Sequence, residues 1–130
     1  MIEPAAIDLP EVVAEVTACF VAYEEALLSN DLDALDNWFW PDERLVRFGL
    51  AEIQHGATAV AVWRRAAGGV PADRLHRRVT VSAFGPDSAV VSLEFTNGEA
   101  LPLGRQSQLW ARLTDGWHIV HAHVSILSAP

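Results

Sequence analysis

Arg105, Ser107, His121 and His123 lie near the end of the chain in two β-prone runs, Gly104-Arg105-Gln106-Ser107-Gln108-Leu109-Trp110 and Trp117-His118-Ile119-Val120-His121-Ala122-His123-Val124-Ser125, joined through Thr114-Asp115-Gly116. A guanidinium grips a carboxylate, a hydroxyl orients a carbonyl, and an imidazole moves protons near neutral pH. Asp-Gly between two such runs is a hairpin signal, because both residues tolerate the positive φ of a two-residue turn. Strands alone do not need this many polar side chains.

The register sorts them. With Asp115 and Gly116 as turn residues, Trp110 faces His121, Gln108 faces His123 and Gln106 faces Ser125. Side chains alternate with period two, so Arg105, Ser107, Leu109 and Ala111 share a face with Val120, Ala122, Val124 and Ile126. That face reads as an apolar wall with Arg105 and Ser107 at its polar end, suited to gripping an anion. The other face, with Gln106, Gln108, His121 and His123, reads as a polar surface or subunit interface. His123 is kept as a third substrate contact, effective only if its face is the inner one.

Other chemistries find no support. His55, His76, His118, His121 and His123 show no Cys partner and no recognisable third-ligand spacing, so no metal is expected. Dinucleotide and phosphate-loop fingerprints are absent, as is a Gly-x-Ser-x-Gly elbow, and no cofactor is expected. Cys19 is the single cysteine and falls in an apolar helical pattern, where it reads as a small hydrophobe.

The 9 basic and 17 acidic residues give a formal charge of -8, which argues against nucleic acid. Arg residues on strands stand out against that background and favour a small anionic substrate. The first ten residues hold no basic region followed by an apolar run, and no apolar segment approaches a membrane span; a cytoplasmic protein with no membrane partner is expected. A length of 130 residues suits a single domain, 1–130.

The elements that must position these groups follow from periodicity. Pro10 opens a long helix whose stripe is Val12, Val16, Phe20, Tyr23 and Leu27, closed at Asn30. Asp31 caps a short helix with Leu32, Leu35 and Trp38, ended at Trp40-Pro41. Leu45 to Gly49 reads as a strand and Ala57 to Ala67 as a third helix before Gly68-Gly69. Leu75 to Phe84, Ala89 to Thr96 and the closing hairpin then supply four antiparallel strands. Helices followed by a meander imply an α+β domain with helices over one face of a curved sheet.

The Tyr23 helix, the segment Trp38-Phe39-Trp40-Pro41-Asp42 leading into Val46-Arg47-Phe48-Gly49, and the closing Gly-Arg-Gln-Ser-Gln and Ala-His-Val-Ser tracts resemble the AtzH-like family, in the SnoaL-like branch of the NTF2-like superfamily. The resemblance implies a cone-shaped α+β barrel of three helices on a mostly antiparallel sheet, a cavity between the layers, and a homodimer through the sheet. It also implies a decarboxylating amidohydrolase that converts 1,3-dicarboxyurea to allophanate in cyanuric acid breakdown, with Tyr23 and Arg47 matching the family's catalytic positions.

Those residue types suit that chemistry. Planar guanidinium groups hold carboxylates with paired hydrogen bonds, so Arg47 and Arg105 can each take one end of a dicarboxylated urea. A Tyr hydroxyl beside an Arg can deliver the proton. Two further classes stand beside this one: another small-molecule lyase, isomerase or hydrolase of the same fold, and a noncatalytic subunit that docks on an amidase. An enzyme requires a cavity holding Tyr23 and Arg47 together; a docking module requires a filled core and a broad exposed patch.

Overall fold

A computed structural model describes residues 1–128. Helix α1 spans Pro10–Ser29, α2 Leu32–Trp38 and α3 Ala57–Ala67; strands β1 (Val46–Phe48) and β2 (Ile53–His55) precede α3, and β3 (Arg74–Ala83), β4 (Ser88–Asn97), β5 (Gly104–Leu113) and β6 (Gly116–Ile126) follow it. The helix boundaries match the punctuation in the sequence. Asn30 closes α1 in the left-handed conformation, and the Asp31 side chain accepts from Ala34 N to start α2.

One six-stranded sheet runs in the order β2-β1-β6-β5-β4-β3. Neighbours are antiparallel except β1 and β6, which pair in parallel. The helices cover one face. Val12, Val16 and Phe20 of α1 and Leu35 of α2 bury themselves against Leu93 of β4, Trp110 of β5 and Ile119 of β6. Strand β2 is an addition to the order read from sequence, where three residues are too few to show alternation.

The hairpin register differs from the sequence reading. Leu113 pairs with Gly116, so the turn residues are Thr114 and Asp115, and a bulge between Leu109 and Trp110 shifts the pairing again, giving Gln108↔Ala122, Ser107↔His123 and Arg105↔Ser125. On β6 the expected face holds only beyond the bulge, with Ala122 buried and His123 exposed; before it Trp117 and Ile119, expected outside, are buried. On β5 it is inverted: Gln106, Gln108 and Trp110 are buried, while Arg105, Ser107 and Leu109 are exposed. A one-residue slip moves every side chain of a strand to the other face. The bulk of Trp110 decides the direction, for its ring fills the core at 0% exposure and meets Tyr23 and Trp38 edge-on. Gln108 goes inward with it and accepts its indole N–H at 3.1 Å.

Candidate functional site

Tyr23 of α1 and Arg47 of β1 line one cavity of about 470 Å3 between the helices and the sheet. Arg64 of α3, Arg74 of β3, Gln106 of β5, and Glu52 and Trp63 border it too, with an apolar flank that includes Leu27, Val70 and Ile126. Arg47 reaches it because Val46 and Phe48, its neighbours on a three-residue strand, take the opposite pleat; Phe48 lies edge-on to His121 and His123 on the outer face.

Three positively charged heads converge here, each held differently. The Arg47 guanidinium stacks on Trp63, 4.0 Å from the ring centroid, and donates through Nη1 to Gln54 Oε1 at 2.8 Å, with Glu52 Oε2 at 3.6 Å. Gln54 stands directly opposite Arg47 in the β1–β2 ladder, which explains the aim. A Cβ on Gly49 would overlap the Glu52 carboxylate and come within 2.7 Å of Arg47 Nη1, so a side chain there would push these two charged heads aside. Arg74 is spent on a buried ion pair: its Nε and Nη2 donate to Glu24 Oε2 and Oε1, both at 3.2 Å, and Nη2 also reaches Gln106 Oε1 at 3.4 Å. Arg64 is 6% exposed, lies 4.8 Å from the Phe39 ring centroid, and has no hydrogen-bond partner for Nε or Nη2 among the described residues.

Burial pushes the Tyr23 hydroxyl above the ordinary tyrosine pKa and Glu24 adds to the push, while Arg64, Arg74 and Arg47 pull it back. The result is a phenol that keeps its proton at neutral pH, which suits a donor and not a base. Burial also lowers the pKa of both Arg47 and Arg64, the sign of cations held where water solvates them poorly.

The hairpin residues lie elsewhere. Arg105, Ser107 and His123 were expected as substrate contacts, but none lines the cavity; Arg105 is exposed on the outer face and donates to Ser125 Oγ at 3.2 Å. The exposed polar face of β5 is the one the sequence reading turned inward. Conversely, Gln106, expected outside, lines the cavity. His118 is a satisfied structural residue, bonded to Asn37 O and Asp115 Oδ1. Cys19 packs against the core with its thiol pKa raised by burial, in keeping with a small hydrophobe. No group of three or more metal-ligating residues occurs among the described residues, and no helix there is long and apolar enough to cross a membrane.

Arg64, Arg74 and Glu24 escaped the sequence reading. Arg64 carried a signal, since Ala57, Val60 and Arg64 recur at helical spacing and place a cation on the inward stripe of α3. Glu24 likewise follows Phe20 by four residues on the buried side of α1.

A family model described as AtzH-like matches residues 5–130. The chain belongs to the AtzH-like family. Among solved structures, this AtzH-like chain is 46% identical to a cystatin-like fold protein from Burkholderia xenovorans LB400 over 100% of both chains, with a TM-score of 0.92. It is 40% identical to a DUF3225 family protein from Pectobacterium atrosepticum SCRI1043, over 98% of this chain and 100% of that one, with a TM-score of 0.94. An NTF2-like protein from Pseudomonas putida KT2440 shares 16% identity over 96% of this chain and 89% of that one, with a TM-score of 0.73, a likeness of fold alone. No curated protein matches the chain. The three helices on a curved, mostly antiparallel sheet are thus NTF2-like.

Proposed function

We propose that this AtzH-like protein is a cofactor-independent decarboxylating amidohydrolase acting on a small carboxylated urea, of which 1,3-dicarboxyurea going to allophanate is the model case. One observation carries the reading: the Tyr23 phenol, which keeps its proton, lines the same cavity as the half-buried Arg47 and the buried Arg64. A cavity with this lining supports an enzyme over a docking module, which calls for a filled core.

Arg47, fixed by Trp63 and Gln54, grips a carboxylate and holds the urea in place. The C–N bond to the departing carboxyl breaks, CO2 leaves, and the nitrogen keeps the bonding pair and takes a proton from the Tyr23 hydroxyl. The phenolate left behind is stabilised by the surrounding guanidinium groups and regains its proton from solvent. General acid catalysis of this kind contributes roughly 10²–10⁴-fold. The homodimer that goes with this reading uses the outer sheet face, where Phe48, His121, His123 and Leu109 sit.

The test is a panel of mono- and dicarboxylated ureas incubated with the purified protein, with CO2 release followed and no metal or nucleotide added. Release above the spontaneous rate supports the reading. No release from any member of the panel, together with an amidase that co-purifies with the protein, replaces it with the subunit reading.

A further inference from the structure

Four buried side-chain polar atoms lack a hydrogen-bond partner among the described residues: Glu52 Oε2, Arg64 Nε, Arg64 Nη2 and Gln106 Nε2. All four belong to residues that line the Tyr23 cavity. Native interiors satisfy nearly all such atoms, because each unpaired one costs free energy, so a cluster at one cavity marks groups kept for a ligand. The set describes that ligand. Three nitrogen donors lack acceptors, and Glu52 Oε2, 3.6 Å from Arg47 Nη1, has an ion-pair partner but no hydrogen bond and can accept an N–H.

Arg64 dominates the set. Its Nε and Nη2 form the side-on edge of the guanidinium, whose paired N–H groups match the two oxygens of a carboxylate. Among the described residues nothing accepts from that edge. Asp36, a carboxylate near enough to be felt, is bonded to Arg65 Nη2 at 2.6 Å, and the Phe39 and Trp63 rings, 4.8 and 6.0 Å away, hold the charge without accepting its N–H groups. Arg74 cannot serve in its place, since Glu24 occupies its fork. Arg47 and Arg64 both neighbour the Trp63 ring, so their heads lie within the span of one small molecule.

We propose that the Nε/Nη2 edge of Arg64 receives a second carboxylate of the substrate while Arg47 holds the first, with Gln106 Nε2 as a further donor and Glu52 Oε2 accepting a substrate N–H, so that the cavity selects N–H-bearing dicarboxylates over monocarboxylates. The decarboxylase reading supplies only the reaction; the second anchor is a binding claim about Arg64.

Two chemically stable ureas separate these claims: 1,3-bis(carboxymethyl)urea, with two carboxylates, and N-carbamoylglycine, with one. In calorimetric titrations the wild-type protein binds the diacid roughly ten- to a hundredfold more tightly, the worth of a charge-assisted bidentate contact. Arg64→Met loses that preference, and Arg64→Lys, which keeps the charge without the fork, recovers it only in part. Arg64→Met also melts no lower than wild type, because it removes an unpaired buried charge. An Arg64→Met protein that still prefers the diacid overturns the proposal. So does a wild type without preference, above all if Arg64→Met melts lower, which makes Arg64 a structural cation. A wild type that shows the Arg64-dependent preference yet releases no CO2 from carboxylated ureas upholds the anchor and overturns the decarboxylase reading.

Discussion

The guanidinium of Arg47 lies over the indole of Trp63 at 4.0 Å, while its Nη1 donates to Gln54 at 2.8 Å. The ring fixes the plane of the fork and the amide fixes its rotation, so Arg47 meets a carboxylate already oriented. Trp63→Leu removes the plane. Given about 0.5–2 kcal/mol for such a contact, KM is expected to rise roughly twofold to thirtyfold with a smaller change in kcat, as measured by steady-state kinetics.

Tyr23 provides a pH signature. Its pKa is raised in the folded protein, so the proton-donating form persists past the ordinary value of 10.0. Turnover carried by this acid stays level through neutral pH and declines only above that value. A pH–rate profile checks this, and an alkaline fall near neutrality assigns the proton to a different group.

Glu24 and Arg74 form a buried pair, each side chain 5% exposed. Glu24→Leu strands the Arg74 cation and is expected to cost about 3–5 kcal/mol, while Glu24→Leu combined with Arg74→Met recovers most of the loss because neither charge remains. Denaturant unfolding of the two variants measures the difference.

The elements were largely legible in the sequence because their signals are local: the stripe from Val12 to Leu27, the Asn30 stop, the Asp31 cap and the period-two runs. The face of β5 was not, because it depends on a bulge at Leu109/Trp110, which is settled by where the Trp110 ring packs. Tyr23 and Arg47 came from family resemblance, and the structure brings them to one cavity. Arg64 and Glu24 were hidden because an Arg or Glu on a helix reads as a solvated face until the neighbouring elements close over it.

Arg105→Ala and Ser107→Ala alter exposed side chains outside the cavity. Both variants are expected to keep wild-type kcat/KM in the same kinetic assay, in contrast to Arg47→Ala.

The central claim is that Tyr23 and Arg47 act on one carboxylated urea within a single cavity. NMR of 13C-labelled 1,3-dicarboxyurea, recorded without protein, with wild type and with Tyr23→Phe and Arg47→Ala, follows the substrate carbon directly. The expected result is conversion to allophanate and labelled CO2 that the wild type accelerates and each variant slows by roughly a hundredfold or more. Decay at the protein-free rate in the presence of wild type, or unchanged acceleration by both variants, contradicts it.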